Sequence, residues 1–252
     1  MSSMTGQVAV SARQTEKRVR RFNRFLQLDD VLLDRYGQAA AATMRDEMLA
    51  EFRQLVPKVP YIGGRRNPLS RQLVQSAMAL AVYQVVRERE GSLQDTGELL
   101  HHLYRAQAER FPRMLRPLLR WYMFSGLRRR QALREAHRSQ ERRYPGDWVF
   151  ERVDGDGMNF DQGRDYTECG IVKFLHAQHA DELCPYLCDL DWVTAEVMGY
   201  GFERTKTLAW GCDRCDFRMT KGATTSAPWP PRFVERTCGQ PPSTTLESAP
   251  TR

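Results

Sequence analysis

The sequence lacks any long hydrophobic run, and it contains no cysteine before residue 169. The best apolar stretch, residues 78–86, is far shorter than the ~20 residues that a transmembrane helix needs, so a membrane span is excluded. Residues 1–14 contain no basic start, apolar stretch or small-residue cleavage site, so no secretory signal is expected. We therefore expect a cytoplasmic protein in a reducing environment, where disulfides are not expected to form.

Lysine is also scarce, because only five of the 38 basic residues are lysine and the rest are arginine. The net charge is +13 over residues 1–145 and −6 over residues 146–252. Such asymmetry can indicate nucleic-acid or membrane contact, whereas arginine enrichment can equally follow from genomic base composition. The segment 101–143 interleaves arginine with aromatic residues, which we interpret as the buried face of a helix with arginine outside. Because no recognised binding motif accompanies the charge, we expect no nucleic-acid partner.

The periodicity of apolar residues changes part-way along the chain. Residues 1–145 show helical spacing and are predicted to form an Arg-rich helical region. Residues 146–221 predict the order strand, strand, two helices, strand, strand, with the helices beginning at Thr167 and Asp181. This order predicts an α+β fold, in which an N-terminal helical layer packs with a four-stranded antiparallel sheet that carries two helices. The two regions would form one integrated domain, followed over residues 222–252 by a disordered tail rich in Pro, Ser and Thr.

The predicted strands are short and are bounded by turn residues. The first two, over residues 148–153 and 159–166, flank an Asp-Gly-rich turn and therefore predict a hairpin. The last two cover residues 202–209 and 215–220. We expect the core of the sheet to contain the large apolar side chains of these strands, namely Trp148, Phe150, Leu208 and Phe217.

Cys169 is the strongest single candidate for a reactive side chain. Thr167 is a candidate N-cap, which would place Cys169 in the first turn of a helix, where unpaired amides and the helix dipole favour the thiolate. A lowered thiol pKa is what a cysteine nucleophile needs. The alternative is a buried cysteine that packs under the helix as a small apolar residue.

The other cysteines offer a metal site as a second hypothesis. Cys184-x3-Cys188 and Cys212-x2-Cys215 are separated by 23 residues, and two such pairs can bind Zn²⁺ tetrahedrally. Against this, Cys184 and Cys188 lie one turn apart on a predicted helix whose leucines also need burial. The five histidines do not form a metal set. The sequence therefore leaves the cofactor open between none and zinc.

Acidic residues and arginines are dense near these thiols. Acid and base groups around a thiol would suit hydrolysis of a C=N or acyl bond, and an arginine would hold a substrate carboxylate. The alternative is a solvated strand face with cross-strand ion pairs. On the last strand, Cys215 and Phe217 are expected to face one way while Asp216 and Arg218 face the other. Unless a bulge intervenes, Cys215 and Arg218 should therefore not line one pocket.

Four fragments of the second half occur in a characteristic order: Asp165-Tyr-Thr-Glu-Cys-Gly170, Leu187-Cys-Asp-Leu-Asp191, Arg204-Thr-Lys-Thr-Leu-Ala-Trp-Gly211 and Cys215-Asp-Phe-Arg218. With Tyr61-Ile-Gly-Gly-Arg-Arg-Asn67 and the helix that follows, they resemble the L-2-amino-thiazoline-4-carboxylic acid hydrolase family over roughly residues 55–220. The resemblance implies a hydrolase that opens a cyclic amidine of the thiazoline type and gives a carbamoyl-cysteine product. Cys184 and Cys212 are additional to the family pattern.

Candidate roles follow from the residue chemistry and the resemblance together. A thiolate can add to the electrophilic C2 carbon of an aminothiazoline while an acid protonates the ring nitrogen. The catalytic candidates are Cys169, Asp191, Cys215 and Asp216. The candidates for binding a small-molecule carboxylate substrate are Asn67, Tyr166, Arg204, Thr205 and Arg218. If a metal-bound hydroxide attacks instead, the expected ligands are Cys169, Cys188 and Cys215.

Two further hypotheses stay open from the sequence. The protein could be a non-catalytic small-molecule-binding or zinc-stabilised sensor module rather than an enzyme. It could also act as a homodimer.

Overall fold

The computed structural model describes residues 12–27, 31–230 and Cys238. The first part of the fold is helical, and its helices are α1 (Ala12–Leu26), α2 (Val31–Leu55), α3 (Ser70–Glu88), α4 (Leu93–Glu109), α5 (Arg116–Met123) and α6 (Gly126–Gln140). The second part contains β1 (Val149–Asp154), β2 (Gln162–Glu168), α7 (Gly170–His176), α8 (Cys184–Met198), β3 (Gly201–Glu203) and β4 (Cys215–Thr220). The α+β class predicted from the sequence is therefore confirmed.

The four strands form one sheet in the order β1-β2-β4-β3, and every neighbouring pair is antiparallel. β1 and β2 form the predicted hairpin, and β4 then pairs with β2 so that Tyr166 lies opposite Cys215. Paired residues share a face of the sheet, so this register places both side chains on the face that the helices cover. Asp165 lies opposite Asp216 on the other face.

Local sequence signals explain where the helices begin. At the start of α4, the Ser92 hydroxyl accepts a hydrogen bond from the Asp95 amide at 3.0 Å. The Asp95 carboxylate accepts one in return from the Ser92 amide at 2.7 Å. This capping box satisfies two amides that the helix itself leaves unpaired, and it fixes the start of α4.

The helices and the sheet share one cluster of buried apolar side chains. α2 packs on α3, α4 packs on α8, and α6 packs on β1. Trp148 and Phe150 are buried in this cluster as predicted, whereas Leu208 and Phe217 are only partly buried and pack against it. The division into regions at residues 145 and 221 stays a prediction.

Two predicted boundaries in the second half are wrong. Thr167 belongs to β2 rather than to a helix, and α7 begins at Gly170 with Cys169 as its N-cap residue. The reason is that pairing with β1 extends β2 as far as Glu168. The strand predicted over residues 202–209 ends at Glu203, because the amides that follow hydrogen-bond to the side chain of Asp216 instead of to a strand.

The aromatic residues of the Arg-rich segment are not all buried, contrary to the sequence-based interpretation. Trp121 on α5 is 64% exposed and Leu118 is 60% exposed. α5 is held to the body of the protein through arginines, since Arg116 donates to the carbonyl of Val197 and Arg120 to the carbonyl of Met198, each at 3.1 Å. These polar anchors fix the helix without requiring its apolar face to be covered.

The beginning of the predicted tail lies along α4 and α8. Ala227 is buried, and the Trp229 ring lies 5.5 Å from that of His101 and 6.2 Å from that of Tyr186. The rest of the predicted tail lies outside the described residues, apart from Cys238. Throughout residues 12–27 and 31–230, each helix is too short or too polar to span a bilayer.

Candidate functional site

Four cysteines lie close together where α7 and α8 meet the start of β4. We call this group the thiol cluster, and its members are Cys169, Cys184, Cys188 and Cys215. Cys184 and Cys215 are buried, whereas Cys169 and Cys188 are partly exposed. The cluster therefore combines two buried cysteines with two that are partly exposed.

Thr207 connects two members of the thiol cluster and was not recognised from the sequence. Its hydroxyl lies 3.6 Å from the Cys188 sulfur and 3.3 Å from the Cys215 sulfur. The Cys215 sulfur also accepts a hydrogen bond from the Leu208 amide at 3.2 Å. Because Thr207 is fully buried, these contacts hold Cys188 and Cys215 at fixed positions on either side of one hydroxyl.

Cys188 is the member of the thiol cluster whose surroundings favour the thiolate. A hydrogen bond from Cys184, the positive charge of Arg204 and the Thr207 hydroxyl together lower the pKa of Cys188 to about 7 against the opposing effect of burial. The same contact with Cys188 raises the pKa of Cys184, and burial adds to that effect. A thiol with a pKa near neutrality is a stronger candidate nucleophile than an ordinary cysteine.

Cys169 has the opposite character, which corrects the expectation of a lowered pKa. Burial raises the pKa of Cys169 to about 12, and the neighbouring Cys188 and Cys215 add to the increase. The amides of Ile171 and Val172 do stabilise its thiolate, as expected at a helix N-terminus, but their effect is smaller than that of burial. Cys169 therefore does lie at a helix N-terminus, but burial rather than the helix decides the direction of its pKa shift.

Arg204 is buried beneath the thiol cluster, and its guanidinium bonds protein groups. It donates to the Asp191 carboxylate at 3.0 Å and to the backbone carbonyl of Cys188 at 2.8 Å. Its cation lies 4.6 Å from the centre of the Trp192 ring and 4.8 Å from that of Phe217. This geometry favours a role in positioning Cys188 and Asp191 over the predicted role in holding a substrate carboxylate.

Asp191 lies one helical turn after Cys188 on α8, and its side chain is 43% exposed. Desolvation raises the pKa of the Asp191 carboxyl, and the nearby Asp189 adds to this, while Arg204 acts in the opposite direction. Asp189 is itself buried and lies 3.1 Å from the ring nitrogen of buried His101. This His101–Asp189 pair was not recognised from the sequence, because the two residues are 88 positions apart and belong to no shared motif.

The remaining candidates on β4 and its preceding loop lie on the outer face of the sheet. The Asp216 carboxylate accepts hydrogen bonds from the amides of Thr205 and Lys206 and from the Thr205 hydroxyl, so it fixes a turn. Arg218 donates to Asp165 at 2.7 Å. The strand alternation predicted from the sequence is confirmed, since neither Asp216 nor Arg218 shares the face of Cys215.

Tyr166 lies in the core, on the face of the sheet that the helices cover. It is 8% exposed, and its ring packs between those of Phe150 and Phe217 at 4.9 and 5.0 Å. Its hydroxyl accepts a hydrogen bond from Arg164 at 3.1 Å. These contacts give Tyr166 a packing role and place it outside direct reach of solvent.

Asn67 lies in a separate cleft of about 1070 Å³, between the loop at residues 61–69, α6 and the start of β1. Its amide group donates to the Ile62 carbonyl at 2.9 Å and to the Asp147 carboxylate at 2.7 Å. Burial raises the pKa of Asp147. The structure therefore divides the predicted site residues among the thiol cluster, the outer face of the sheet and this cleft.

Cys212 and Cys238 are joined in a disulfide, which corrects the expectation that none would form. The expectation rested on the cellular compartment alone, whereas the fold brings these two side chains together. With Cys212 in a disulfide, the predicted pairing of two cysteine motifs around zinc is not available. In the described part of the chain, no group of three or more His, Cys, Asp or Glu side chains has the arrangement to hold a metal ion. The predicted ligand set of Cys169, Cys188 and Cys215 therefore does not have that arrangement either.

A comparison with known protein families matches a segment of the chain that contains the thiol cluster. The family described as L-2-amino-thiazoline-4-carboxylic acid hydrolase matches residues 71–219. The chain belongs to this family. The matched segment contains all four cysteines of the thiol cluster with Arg204 and Asp191, whereas Asn67 precedes it. No curated protein and no solved structure matches the chain.

Proposed function

We propose that this family member is a hydrolase that opens a cyclic amidine of the thiazoline type on a small carboxylate, with Cys188 as its nucleophile. The single observation that carries the proposal is that Cys188 and Asp191 lie one turn apart on α8, where Arg204 donates both to the Cys188 carbonyl and to the Asp191 carboxylate. The surroundings lower the pKa of Cys188 and raise that of Asp191. Groups whose surroundings drive their pKa values apart are typical of acid–base partners in catalysis. The family description supplies the reaction class.

The chemistry of these two groups accounts for each step of ring opening. The Cys188 thiolate adds to C2 of the ring, and the C=N electron pair moves to the ring nitrogen, which takes a proton from Asp191. Breaking the bond between C2 and the ring sulfur then opens the ring and leaves C2 attached to Cys188. Water adds to C2, its protons pass to the Asp191 carboxylate and the product thiolate, and Cys188 leaves as thiolate. The product is a carbamoyl-cysteine, and the enzyme returns to its starting state.

The other residues of the site act through these two groups. Arg204 is a positioning residue, because it touches both Asp191 and the backbone of Cys188 and its charge favours the thiolate. Cys169 and Cys215 remain neutral thiols, since burial raises the pKa of each. We assign them to packing beside Cys188 rather than to attack.

Substitution of single thiols tests the proposal. Turnover of L-2-aminothiazoline-4-carboxylate to carbamoyl-cysteine is measured by mass spectrometry for the parent, Cys188→Ser and Cys169→Ser. Cys169 is a matched control, because it belongs to the same cluster and is also partly exposed. We expect Cys188→Ser to lose at least 1000-fold in rate, as removal of a nucleophile does, and Cys169→Ser to stay within roughly tenfold. If Cys188→Ser keeps its fold and its activity, the nucleophile is assigned wrongly.

Alkylation gives a second readout that does not depend on knowing the substrate. Peptide mapping after brief treatment with iodoacetamide should show Cys188 modified first, at a rate that rises through about pH 7. Cys169, with a pKa near 12, should react far more slowly at neutral pH. Preferential labelling of Cys169 would contradict the assignment.

A non-catalytic binding module is the second candidate function, and the separate cleft around Asn67 is the observation that favours it. A binding module would retain a ligand in the cleft and would turn over no cyclic amidine in either the parent or the variants. The turnover assay therefore separates the two functions directly.

A further inference from the structure

The cleft beside Asn67 carries a strong excess of positive charge. Its walls come from the loop at residues 61–69, α6, the loop at residues 141–149, β2 and α7. The lining includes eight basic and four acidic side chains. The basic residues are Arg65, Arg66, Arg128, Arg138, Arg142, Arg143, Arg164 and Lys173, and the acidic ones are Glu135, Glu141, Asp147 and Glu168.

Most of the acidic groups in the cleft are already engaged by protein donors. Glu168 forms ion pairs with both Arg142 and Lys173. Glu135 pairs with Arg128 at 3.0 Å. Asp147 accepts hydrogen bonds from the side chain of Asn67 at 2.7 Å and from the Trp148 amide at 2.8 Å. Little negative charge is therefore left to neutralise the other arginines.

Five arginines of the cleft form no direct ion pair with a carboxylate in the part of the chain that the structure describes. Four of them, Arg65, Arg66, Arg138 and Arg143, lie at the exposed mouth. The fifth, Arg164, projects from β2 at the floor. Several guanidinium groups around one cavity are suited to an anion with many acceptor oxygens, because each can bind two oxygens of a phosphate at once.

Arg164 is the most informative of the five, because it is a partly buried cation. Its guanidinium donates to the neutral Tyr166 hydroxyl at 3.1 Å and lies 5.6 Å from the centre of the Phe150 ring. The Glu135 carboxylate also acts on this charge, but Glu135 is already paired with Arg128. A partly buried charge is stabilised far better by a direct opposite charge than by a neutral dipole. Arg164 lines the cleft, where an anionic ligand would supply that charge.

We propose that this cleft binds a phosphorylated small molecule with two or more negative charges, such as a diphosphate or a nucleotide. The volume of about 1070 Å³ is large enough for such a ligand. Tyr61 and Tyr144 stand edge to face at the mouth with their ring centres 5.6 Å apart, and Tyr61 is 42% exposed, so an aromatic surface is available beside the arginines. A single carboxylate would neutralise only one of the five unpaired guanidinium groups, which favours the more highly charged class.

Calorimetric titration of the full chain with inorganic pyrophosphate, inorganic phosphate and acetate tests the charge requirement. We expect pyrophosphate to bind at least tenfold more tightly than phosphate and acetate to show no binding. Adenosine diphosphate, titrated next, tests the aromatic surface, and binding tighter than that of pyrophosphate would identify a nucleotide rather than a simple diphosphate. Acetate binding as tight as that of pyrophosphate, or no binding of any phosphate, would overturn the proposal.

Arginine substitutions locate the binding. We expect Arg164→Gln and Arg138→Gln each to weaken pyrophosphate binding by tenfold or more. Arg113→Gln is the matched control, because Arg113 is exposed and lies outside the cleft, and it should leave the affinity unchanged. Because Arg164 is partly buried, the melting temperature of its variant is checked, and exposed Arg138 provides the test if that variant fails to fold. An equal loss in Arg113→Gln would mean non-specific attraction and would refute the site.

The proposed ligand site is independent of the proposed hydrolase. Cys188→Ser should bind pyrophosphate with the affinity of the parent, because the thiol cluster does not line the cleft. Failure of the turnover assay with retained pyrophosphate binding would reject only the hydrolase, and the reverse pattern would reject only the ligand site.

Discussion

Replacement of Arg204 tests the candidate site most directly, because this one side chain both forms buried hydrogen bonds and lowers the pKa of Cys188. Arg204→Met would keep an unbranched apolar stem between Trp192 and Phe217 but would remove two hydrogen bonds, to the Asp191 carboxylate and to the Cys188 carbonyl. Hydrogen bonds to charged groups contribute about 1.5–3 kcal/mol each.

We take the lower value for each bond when working out the expected loss of unfolding free energy. Asp191 is 43% exposed, so water can solvate its carboxylate once Arg204 is gone. We therefore expect Arg204→Met to cost about 3 kcal/mol, taken as two bonds at the lower value. Urea unfolding followed by circular dichroism measures this change. Loss of the positive charge should also raise the pKa of Cys188 and slow its alkylation at neutral pH.

Arg204→Lys separates the two effects. It keeps the positive charge but cannot reproduce the planar, two-armed contact, so stability should fall while the alkylation midpoint of Cys188 stays close to that of the parent. Arg214→Met is the control, because Arg214 is 40% exposed and lies 3.4 Å from Asp165, and it should cost less than about 1 kcal/mol. If Arg204→Met costs no more than Arg214→Met and leaves Cys188 unchanged, the positioning role of Arg204 is wrong.

Three further predictions test the fold around the site. Gly97→Ala should destabilise by about 1–3 kcal/mol in urea unfolding, because a Cβ atom there would overlap the Tyr186 ring, whereas Gly126→Ala, with open space around it, should be neutral or stabilising. Ser92→Ala should cost about 1 kcal/mol through loss of the α4 cap, and a melting temperature equal to that of the parent would contradict the capping box. Backbone amides lower the pKa of Asp156, so its stabilising effect is present at neutral pH and is lost as the pH falls; the stability difference between Asp156→Ala and the parent should therefore shrink below about pH 4.

Local patterns in the sequence were sufficient to predict the elements that depend on interactions between nearby residues. The capping box at Ser92 and the hairpin of β1 and β2 follow from residues within a few positions of each other. The alternation of β4 also follows from its backbone geometry, and it correctly separated Cys215 from Arg218. The boundary at Thr167 was missed because pairing with a distant strand extended β2 beyond its local signal.

The family and the neighbourhood of the site were likewise available from the sequence, but the roles of its residues were not. A helix N-terminus does lie at Cys169, two residues later than predicted, yet burial and the approach of Cys188 and Cys215 reversed the expected direction of the pKa shift of Cys169. Cys188 acquired its low pKa from Cys184 on its own helix and from Arg204 and Thr207 beyond it. The sequence determined which helices and strands form and which family the chain belongs to. Only the tertiary structure decided which thiol ionises, because a pKa depends on burial and on charges that separate elements bring together.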